Sequence, residues 1–144
     1  MGFSVSGSFA ILVLASFIAF GMVYSAGANS FERVSDATHD SYERGLDQQN
    51  TAINVSEVTY QSGDLEVNVT NTGTTSLSIN ATDVIVNGTY RQSFQQFEVV
   101  GKPDSDLWLP GDTLSIRIND SGLQSGDPVK VVTEHGVAAG RVVP

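Results

Sequence analysis

The sequence contains no cysteine and few basic residues. Its 144 residues include 7 Lys and Arg against 16 Asp and Glu, for a formal net charge of −9. Without cysteine, a disulfide scaffold, a cysteine nucleophile and a thiolate metal site are all excluded. Because no basic stripe is present to neutralise phosphates, the chain is a poor candidate for binding nucleic acid. Acidity with scarce lysine is typical of proteins that work in concentrated salt, and we interpret the surface as halophilic.

Charge is also missing from the start of the chain, where the first charged side chain is Glu32. Residues 9–28 form an apolar run of about twenty residues, which as a helix spans about 30 Å, the thickness of a bilayer core. The run predicts a transmembrane anchor over residues 1–30. The apolar side chains expected to face lipid are Phe9, Ile11, Leu12, Val13, Leu14, Phe17, Ile18, Phe20, Met22 and Val23.

Two other interpretations of this run stay open. A secretory signal has a basic start, an apolar core of about 7–15 residues and a small-residue cleavage site. Here the start has no basic residue and the run is longer, although SAGA (residues 25–28) resembles a cleavage site. A pilin-like or flagellin-like filament subunit would carry a leader that ends in a basic residue and glycine, whereas only Met1 and Gly2 precede Phe3. A permanent anchor is therefore the favoured hypothesis.

The orientation of the anchor is predicted from glycosylation motifs, because the few basic residues near its ends hardly decide it. Five N-x-S/T acceptor motifs follow the anchor and none lies before it. They favour a single-pass protein with its N-terminus inside and its C-terminal domain outside the cell. The candidate acceptors are Asn54, Asn68, Asn80, Asn87 and Asn119.

Small residues recur at four-residue spacing in the anchor, which lets transmembrane helices approach closely. A helix–helix contact, in a homodimer or with a partner, is therefore one interpretation. The pairs are Ser4 and Ser8, Ala15 and Ala19, and Gly21 and Ser25.

Residues 31–51 are polar and predict a helical stalk. Asp40 and Arg44 lie four residues apart, which supports a helix weakly. Three heptads of apolar a and d positions are not present. Apolar and small residues nevertheless fall roughly on one face: Phe31, Val34, Thr38, Tyr42 and Leu46.

From residue 52 the apolar period changes to two. In DLEVNVT (residues 64–70) and TLSIRIN (residues 113–119), apolar and polar residues alternate, and Asn87-Gly88 is a strong hairpin signal. About seven short strands with frequent turns predict an immunoglobulin-like antiparallel β-sandwich over residues 52–144. The whole chain is thus expected to be mostly β with one long N-terminal helix.

No motif for catalysis is found. The chain lacks G-x-S-x-G, G-x-G-x-x-G and a P-loop, and His39 and His135 have no second histidine nearby. Asp104 and Asp106 lack the further ligands of a calcium loop. We therefore expect no enzyme activity, cofactor, metal or small-molecule substrate.

The only tryptophan, Trp108, lies between Leu107 and Leu109. If these leucines enter the core, alternation leaves the indole partly exposed, where it would suit a partner contact. The alternative is that the indole covers a sheet edge.

Several segments together resemble a known family. They are MGFSVSGS at the start, MVYSA at the end of the apolar helix, ERV (residues 32–34), LDQQNTA (residues 46–52) and VNVTNTGTTSL (residues 67–77). In this combination the chain resembles the haloarchaeal archaellum (archaeal flagellar) accessory proteins of the F, or FlaF, type. The sister G-type accessory proteins are the second choice.

The resemblance implies a location and a role. Such proteins sit in the cytoplasmic membrane at the base of the archaellum and project a sandwich into the pseudo-periplasm. There the sandwich is thought to bind the S-layer protein, often as a homodimer, and to act with the G-type protein as a stator for filament rotation. No interface residue is implied by the resemblance, and a filament subunit remains the alternative function.

Overall fold

The structure is a computed structural model that describes residues 2–144, with side chains from Ser6 onward. The predicted pairing of Ser4 with Ser8 therefore lies outside the described side chains. One helix, α1, covers Gly2–Asn50. It is followed by ten strands. The chain divides into two units: one ends at Glu43, and the other is Arg44–Pro144.

The strands are short and follow the predicted alternation. A single 3-10 turn, Ile79–Ala81, interrupts them. The strands are β1 Ile53–Gln61, β2 Asp64–Asn71, β3 Leu77–Ser78, β4 Asp83–Val86, β5 Thr89–Arg91, β6 Gln96–Val99, β7 Leu107–Trp108, β8 Thr113–Asn119, β9 Pro128–Val132 and β10 Ala138–Val142.

All strand pairs are antiparallel and most belong to two four-stranded sheets. One sheet has the order β1-β2-β8-β6 and the other β10-β9-β4-β5, while β3 and β7 pair separately. Both sheets contribute to one core cluster of buried apolar residues. Burying these side chains supplies the main driving force for folding this unit. The predicted β-sandwich is therefore confirmed. The most deeply buried members, all below 2% exposed, include Val67, Val69, Leu114 and Ile116 from the first sheet and Val84, Val86, Val129 and Val131 from the second.

The register is set by tight turns and one bulge. Asn87 and Gly88 both have positive φ, 48° and 72°, as the predicted type I′ hairpin requires. A register shift between Val55 and Glu57 leaves Ser56 as a bulge in β1. The carbonyl of Ser56 accepts a hydrogen bond from Arg141 Nη1 at 2.8 Å. This bond ties the edge strand β10 of one sheet to the edge strand β1 of the other.

The prediction of an exposed Trp108 is wrong. The indole is fully buried, whereas Leu107 and Leu109 are 49% and 36% exposed. Pairing of β7 with β3, with Trp108 opposite Leu77, turns the tryptophan inward. The indole nitrogen donates to the carbonyl of Asp112 at 2.9 Å, so this large apolar ring is buried without losing its hydrogen bond. Trp108 is therefore a core residue and not a partner contact.

Candidate functional site

The apolar half of α1 has the properties of a membrane span. Among the described residues, one helix is long and apolar enough to cross a membrane. The ten side chains predicted to face lipid all lie on it, with exposures from 38% for Val13 to 75% for Phe20. Ser16 within this run donates its hydroxyl to the carbonyl of Leu12 at 2.8 Å. Its polar group is thus satisfied inside the helix, as a bilayer requires.

The end of α1 is bonded to the turn that follows β2, and we call this contact the joint. It consists of residues 48–52, residues 71–75, Trp108 and Asp112. Four successive backbone amides, those of residues 72–75, donate to two carbonyls at the helix end. The carbonyl of Ala52 accepts two of these bonds, at 2.8 and 2.9 Å, and that of Asn50 accepts the other two, at 2.9 and 3.3 Å. The turn therefore satisfies carbonyls that have no partner within the helix.

Asn71 holds the turn from the inside. Its side chain is fully buried. The Nδ2 amide donates to the carbonyl of Thr75 at 2.9 Å and to that of Trp108 at 3.1 Å. The Oδ1 atom accepts from the amide of Gly73 at 3.0 Å. One side chain thus joins both ends of the turn to strand β7, and every polar atom of its amide group has a partner.

Asp112 stabilises the joint through hydrogen bonds of its backbone and its side chain. Its backbone carbonyl accepts from the indole of Trp108 at 2.9 Å and from the amide of Asn71 at 3.0 Å. Its carboxylate accepts from Lys102 Nζ at 2.7 Å and from the amide of Leu109 at 3.2 Å. The hydrogen bond from the Lys102 ammonium lowers the pKa of the Asp112 carboxyl below its ordinary value of 3.8. Asp112 therefore bonds to Trp108 and Asn71 of the joint through its backbone, and its side chain is itself held in place.

Gly73 is the tightest point of the joint. A Cβ atom at this position would lie 2.5 Å from the nitrogen of Ala52 and 2.5 Å from the carbonyl oxygen of Asn50. Backbone atoms cannot move aside as a flexible side chain can. The close approach of turn and helix end therefore requires glycine here.

A second and weaker tie links the helix end to the loop between β9 and β10. Gln48 Nε2 donates to the carbonyl of His135 at 3.4 Å. In the same loop, Glu134 Oε1 accepts from the amide of Ser78 at 3.1 Å and lies 3.6 Å from His135 Nε2. His135 thus belongs to a structural loop and takes part in no histidine cluster among the described side chains.

The other candidate residues of the sequence are scattered. His39 lies on α1, where its Nε2 atom is 3.2 Å from Glu43, and Asp104 and Asp106 are exposed. Among the described side chains, no group of three or more His, Asp or Glu residues is arranged to hold a metal ion. Of the acceptor asparagines, Asn68 is half-buried on the outer side of β2, and Asn54, Asn80, Asn87 and Asn119 are exposed. Their glycosylation stays a prediction.

The joint was missed by sequence reasoning, which identified NTGTT (residues 71–75) only as a turn. One signal was available. Leu65, Val67 and Val69 face the core, so the next inward position of the same alternation is Asn71. A buried amide at the end of a strand needs several partners, and an adjacent turn is the nearest source.

Comparison with known proteins gives a family and two similar structures. No curated protein matches the chain. The chain is similar to the archaellum periplasmic stator protein FlaG from Sulfolobus acidocaldarius, with 20% identity over 64% of this chain and 98% of that one and a TM-score of 0.48. It is also similar to a chain of the archaellum periplasmic stator protein complex of FlaF and FlaG from the same organism, with 20% identity over 62% of this chain and 86% of that one and a TM-score of 0.46. The family model of the archaeal-type flagellins matches residues 2–141, and the chain therefore belongs to the archaeal-type flagellin family.

Proposed function

We propose that this chain is a membrane-anchored structural component of the archaellum, of the F type, and that it acts as a stator. Its apolar helix stays in the cytoplasmic membrane, with the N-terminus inside. Its sandwich lies outside, in the pseudo-periplasm, and binds the S-layer protein. A G-type accessory protein is its partner at the archaellum base. The role is structural and involves no catalysis.

The observation that supports this proposal best is the joint. A rotating filament exerts a reaction torque on its motor, and a stator must carry that load from the membrane to a stiff external lattice. In this chain the load would pass from α1 into the sandwich through residues 48–52. Four backbone hydrogen bonds, the buried Asn71 and the close approach at Gly73 hold this segment against the sandwich. A simple flexible linker would need none of these contacts.

The proposed S-layer contact is short-ranged. The chain carries a net charge of −9. If the protein works in concentrated salt, the Debye length is about 3 Å at 1 M, so long-range attraction between partners contributes little. We therefore expect apolar and hydrogen-bonding contacts whose strength holds or rises with salt. Co-sedimentation of membrane vesicles bearing the full chain with S-layer sheets, at low and at high salt, measures this. Binding that disappears as salt rises would contradict this part of the proposal.

The second candidate function is a filament subunit, whose helix packs in a filament core. It is favoured by the family match, because the family is that of the archaeal-type flagellins. The two functions differ in where the protein resides and in its N-terminus. Intact mass and N-terminal sequencing of the protein from native cells separate them. Recovery from detergent-extracted membranes with Met1 or Gly2 at the N-terminus supports the stator, whereas a start at Phe3 in sheared filaments supports the subunit.

A motility assay tests the mechanical role of the joint. Gly73→Ala strains the joint, whereas Gly7→Ala makes the same change at a helical position outside the joint, where an added Cβ meets nothing within 4 Å. Cells that lack the native protein are complemented with each variant at matched abundance in the membrane. We expect swimming speed to fall with Gly73→Ala and to be retained with Gly7→Ala. Equal swimming with both variants would argue against load transfer through this contact.

A further inference from the structure

An eleven-residue repeat runs along α1 from the apolar segment into the stalk. The four copies are FAILVLASFIA (residues 9–19), FGMVYSAGANS (residues 20–30), FERVSDATHDS (residues 31–41) and YERGLDQQNTA (residues 42–52). The first position is always aromatic: Phe9, Phe20, Phe31 and Tyr42. The eighth position is small in the first three copies: Ser16, Gly27 and Thr38.

The repeat length suits a continuous helical face. At about 100° per residue, eleven residues exceed three full turns by only about 20°. Positions one, four, five and eight of each copy therefore share one side of α1, which we call the stripe. Repeats of this length produce a nearly straight or slightly right-handed supercoil, whereas heptads produce a left-handed one.

The structure contains the same groove twice along the stripe. In each groove, aromatic side chains that lean towards the helix N-terminus frame a floor with a small hydroxyl residue at position eight. Every lining residue of the second groove follows its counterpart in the first by 22 residues, or two repeats. The first groove is lined by Phe9, Leu12, Val13, Ser16, Phe17 and Phe20. The second is lined by Phe31, Val34, Ser35, Thr38, His39 and Tyr42.

The stalk part of the stripe is exposed and carries no Asp, Glu, Lys or Arg side chain, although His39 borders its groove at position nine. Phe31, Val34 and Tyr42 are 79%, 65% and 71% exposed, although they follow the membrane span and would stand in water. The Asp, Glu and Arg side chains of this segment occupy only repeat positions two, three, six and ten, none of which lies on the stripe. They are Glu32, Arg33, Asp36, Asp40, Glu43, Arg44 and Asp47. An exposed face of this kind on a helix marks an interaction surface, and the partner surface that covers it must be uncharged as well.

We propose that the stripe is the interface of a parallel, in-register homodimer formed by two copies of this chain. Two copies anchored in one membrane run in the same direction and at the same depth, so equal repeat positions lie side by side. The second copy presents a face with the same lack of charge. Each small residue at position eight precedes the next aromatic residue by one turn, as Thr38 precedes Tyr42, and leaves space for a ring of the other copy.

The aromatic rings of the stripe supply a large part of the area that a stable complex needs. An aromatic side chain buries about 150–250 Å² when fully covered, so half-covering the eight rings of two stripes removes about 600–1,000 Å² from solvent or lipid. Positions four, five and eight add to this. The rings alone thus supply about half of the 1,200–2,000 Å² of specific protein interfaces.

Cysteine cross-linking tests the proposal directly, because the native chain contains no cysteine. The proposal rests on the membrane anchoring in the proposed function, so the full chain is expressed alone in membranes and recovered in the carbonate-washed pellet before a mild oxidant is added. Thr38→Cys places a thiol on the stripe, and Asp36→Cys, two residues earlier, places one on the charged side. Both positions are exposed in the single chain. A disulfide forms only when the two Cα atoms come within about 7 Å.

The expected result is a shift of Thr38→Cys from 15.3 kDa to a product of twice that mass, while Asp36→Cys stays at 15.3 kDa. Tyr42→Cys and Glu43→Cys repeat the comparison further along the helix, with Tyr42→Cys forming the dimer. Equal cross-linking on both faces, or none on the stripe in protein that is present in the washed pellet, overturns the homodimer and leaves the anchor intact. Protein that is absent from the pellet refutes the anchor itself, and with it the dimer.

Discussion

Gly73 allows the closest approach in the joint, and replacing it with alanine is the sharpest test of that contact. The new Cβ would lie 2.5 Å from the nitrogen of Ala52 and from the carbonyl oxygen of Asn50. Ordinary contact begins near 3.4 Å, so turn and helix end must separate by close to 1 Å. The hydrogen bonds between them are 2.8–3.3 Å long and would be stretched beyond the normal range.

The energetic cost follows from the number of bonds affected. Each backbone hydrogen bond contributes about 0.5–1.5 kcal/mol net, so opening all four costs about 2–6 kcal/mol. Relaxation of the turn retains part of this, and we expect the free energy of unfolding to fall by about 2–4 kcal/mol. Because a domain of this kind is stable by about 5–15 kcal/mol, the variant should still fold.

Urea unfolding of the full chain in detergent, followed by tryptophan fluorescence, measures this cost. Trp108 is the only tryptophan and is bonded within the joint, so its emission reports on the relevant part of the sandwich. Gly7→Ala is the matched control, because it adds the same methyl group within α1 at a position far from the joint, where it meets nothing within 4 Å. The urea midpoint should therefore fall for Gly73→Ala and stay unchanged for Gly7→Ala. An unchanged midpoint for Gly73→Ala, at an unchanged denaturant slope, would refute the argument from close approach.

Three further predictions concern single side chains. Asn71→Ala removes the donor to the carbonyls of Trp108, which is buried, and of Thr75, which is half-buried. It should lower the free energy of unfolding by about 2–4 kcal/mol in the same urea assay, and a loss below about 1 kcal/mol would mean that water replaces the amide. The lowered pKa of Asp112 implies a stabilising contribution that is present above its ordinary value of 3.8 and is lost as pH falls through the lower folded-state pKa. Lys102→Gln should therefore make the urea midpoint less sensitive to acid. An unaltered pH profile of the midpoint would contradict this. The hydrogen bond from the Tyr90 hydroxyl to Asp83, 3.1 Å long, raises the pKa of Tyr90 above 10.0. The stabilisation from this bond is present below pH 10.0 and is lost as pH rises through the raised pKa. Ultraviolet titration should show one tyrosine with a raised pKa, and Asp83→Asn should return that pKa towards 10.0.

The sandwich could be predicted from the sequence because its signals are local. Alternation in β2 and β8 places their side chains on opposite faces, and Asn87-Gly88 determines a hairpin by its backbone preferences alone. The inward position of Trp108 could not be predicted in this way. In a two-residue strand, alternation says only that neighbours point in opposite directions, and the choice is made by pairing with Leu77 and by the carbonyl of Asp112.

The joint and the stripe could not be predicted from the sequence patterns considered, for different reasons. The joint depends on backbone carbonyls at residues 50 and 52, which no side-chain pattern encodes, and only the inward position of Asn71 hinted at it. The stripe is encoded in the sequence, but its period is eleven residues and not the seven of a heptad. Part of its face was nevertheless visible in Phe31, Val34 and Tyr42.

The interactions at the joint depend little on the salt concentration. Ion pairs between partly exposed side chains, such as Arg117 with Glu66 at 2.9 Å, contribute at most about 1 kcal/mol in dilute buffer, and their long-range part is screened by salt. The joint is held mainly by backbone hydrogen bonds and by the buried amide of Asn71, which act over short distances and do not depend on net charge. Its one ion pair, between Lys102 and Asp112, also includes a direct hydrogen bond at 2.7 Å. Raising the salt concentration should therefore weaken the surface ion pairs while leaving the joint intact, so the destabilisation caused by Gly73→Ala should be the same at low and at high salt.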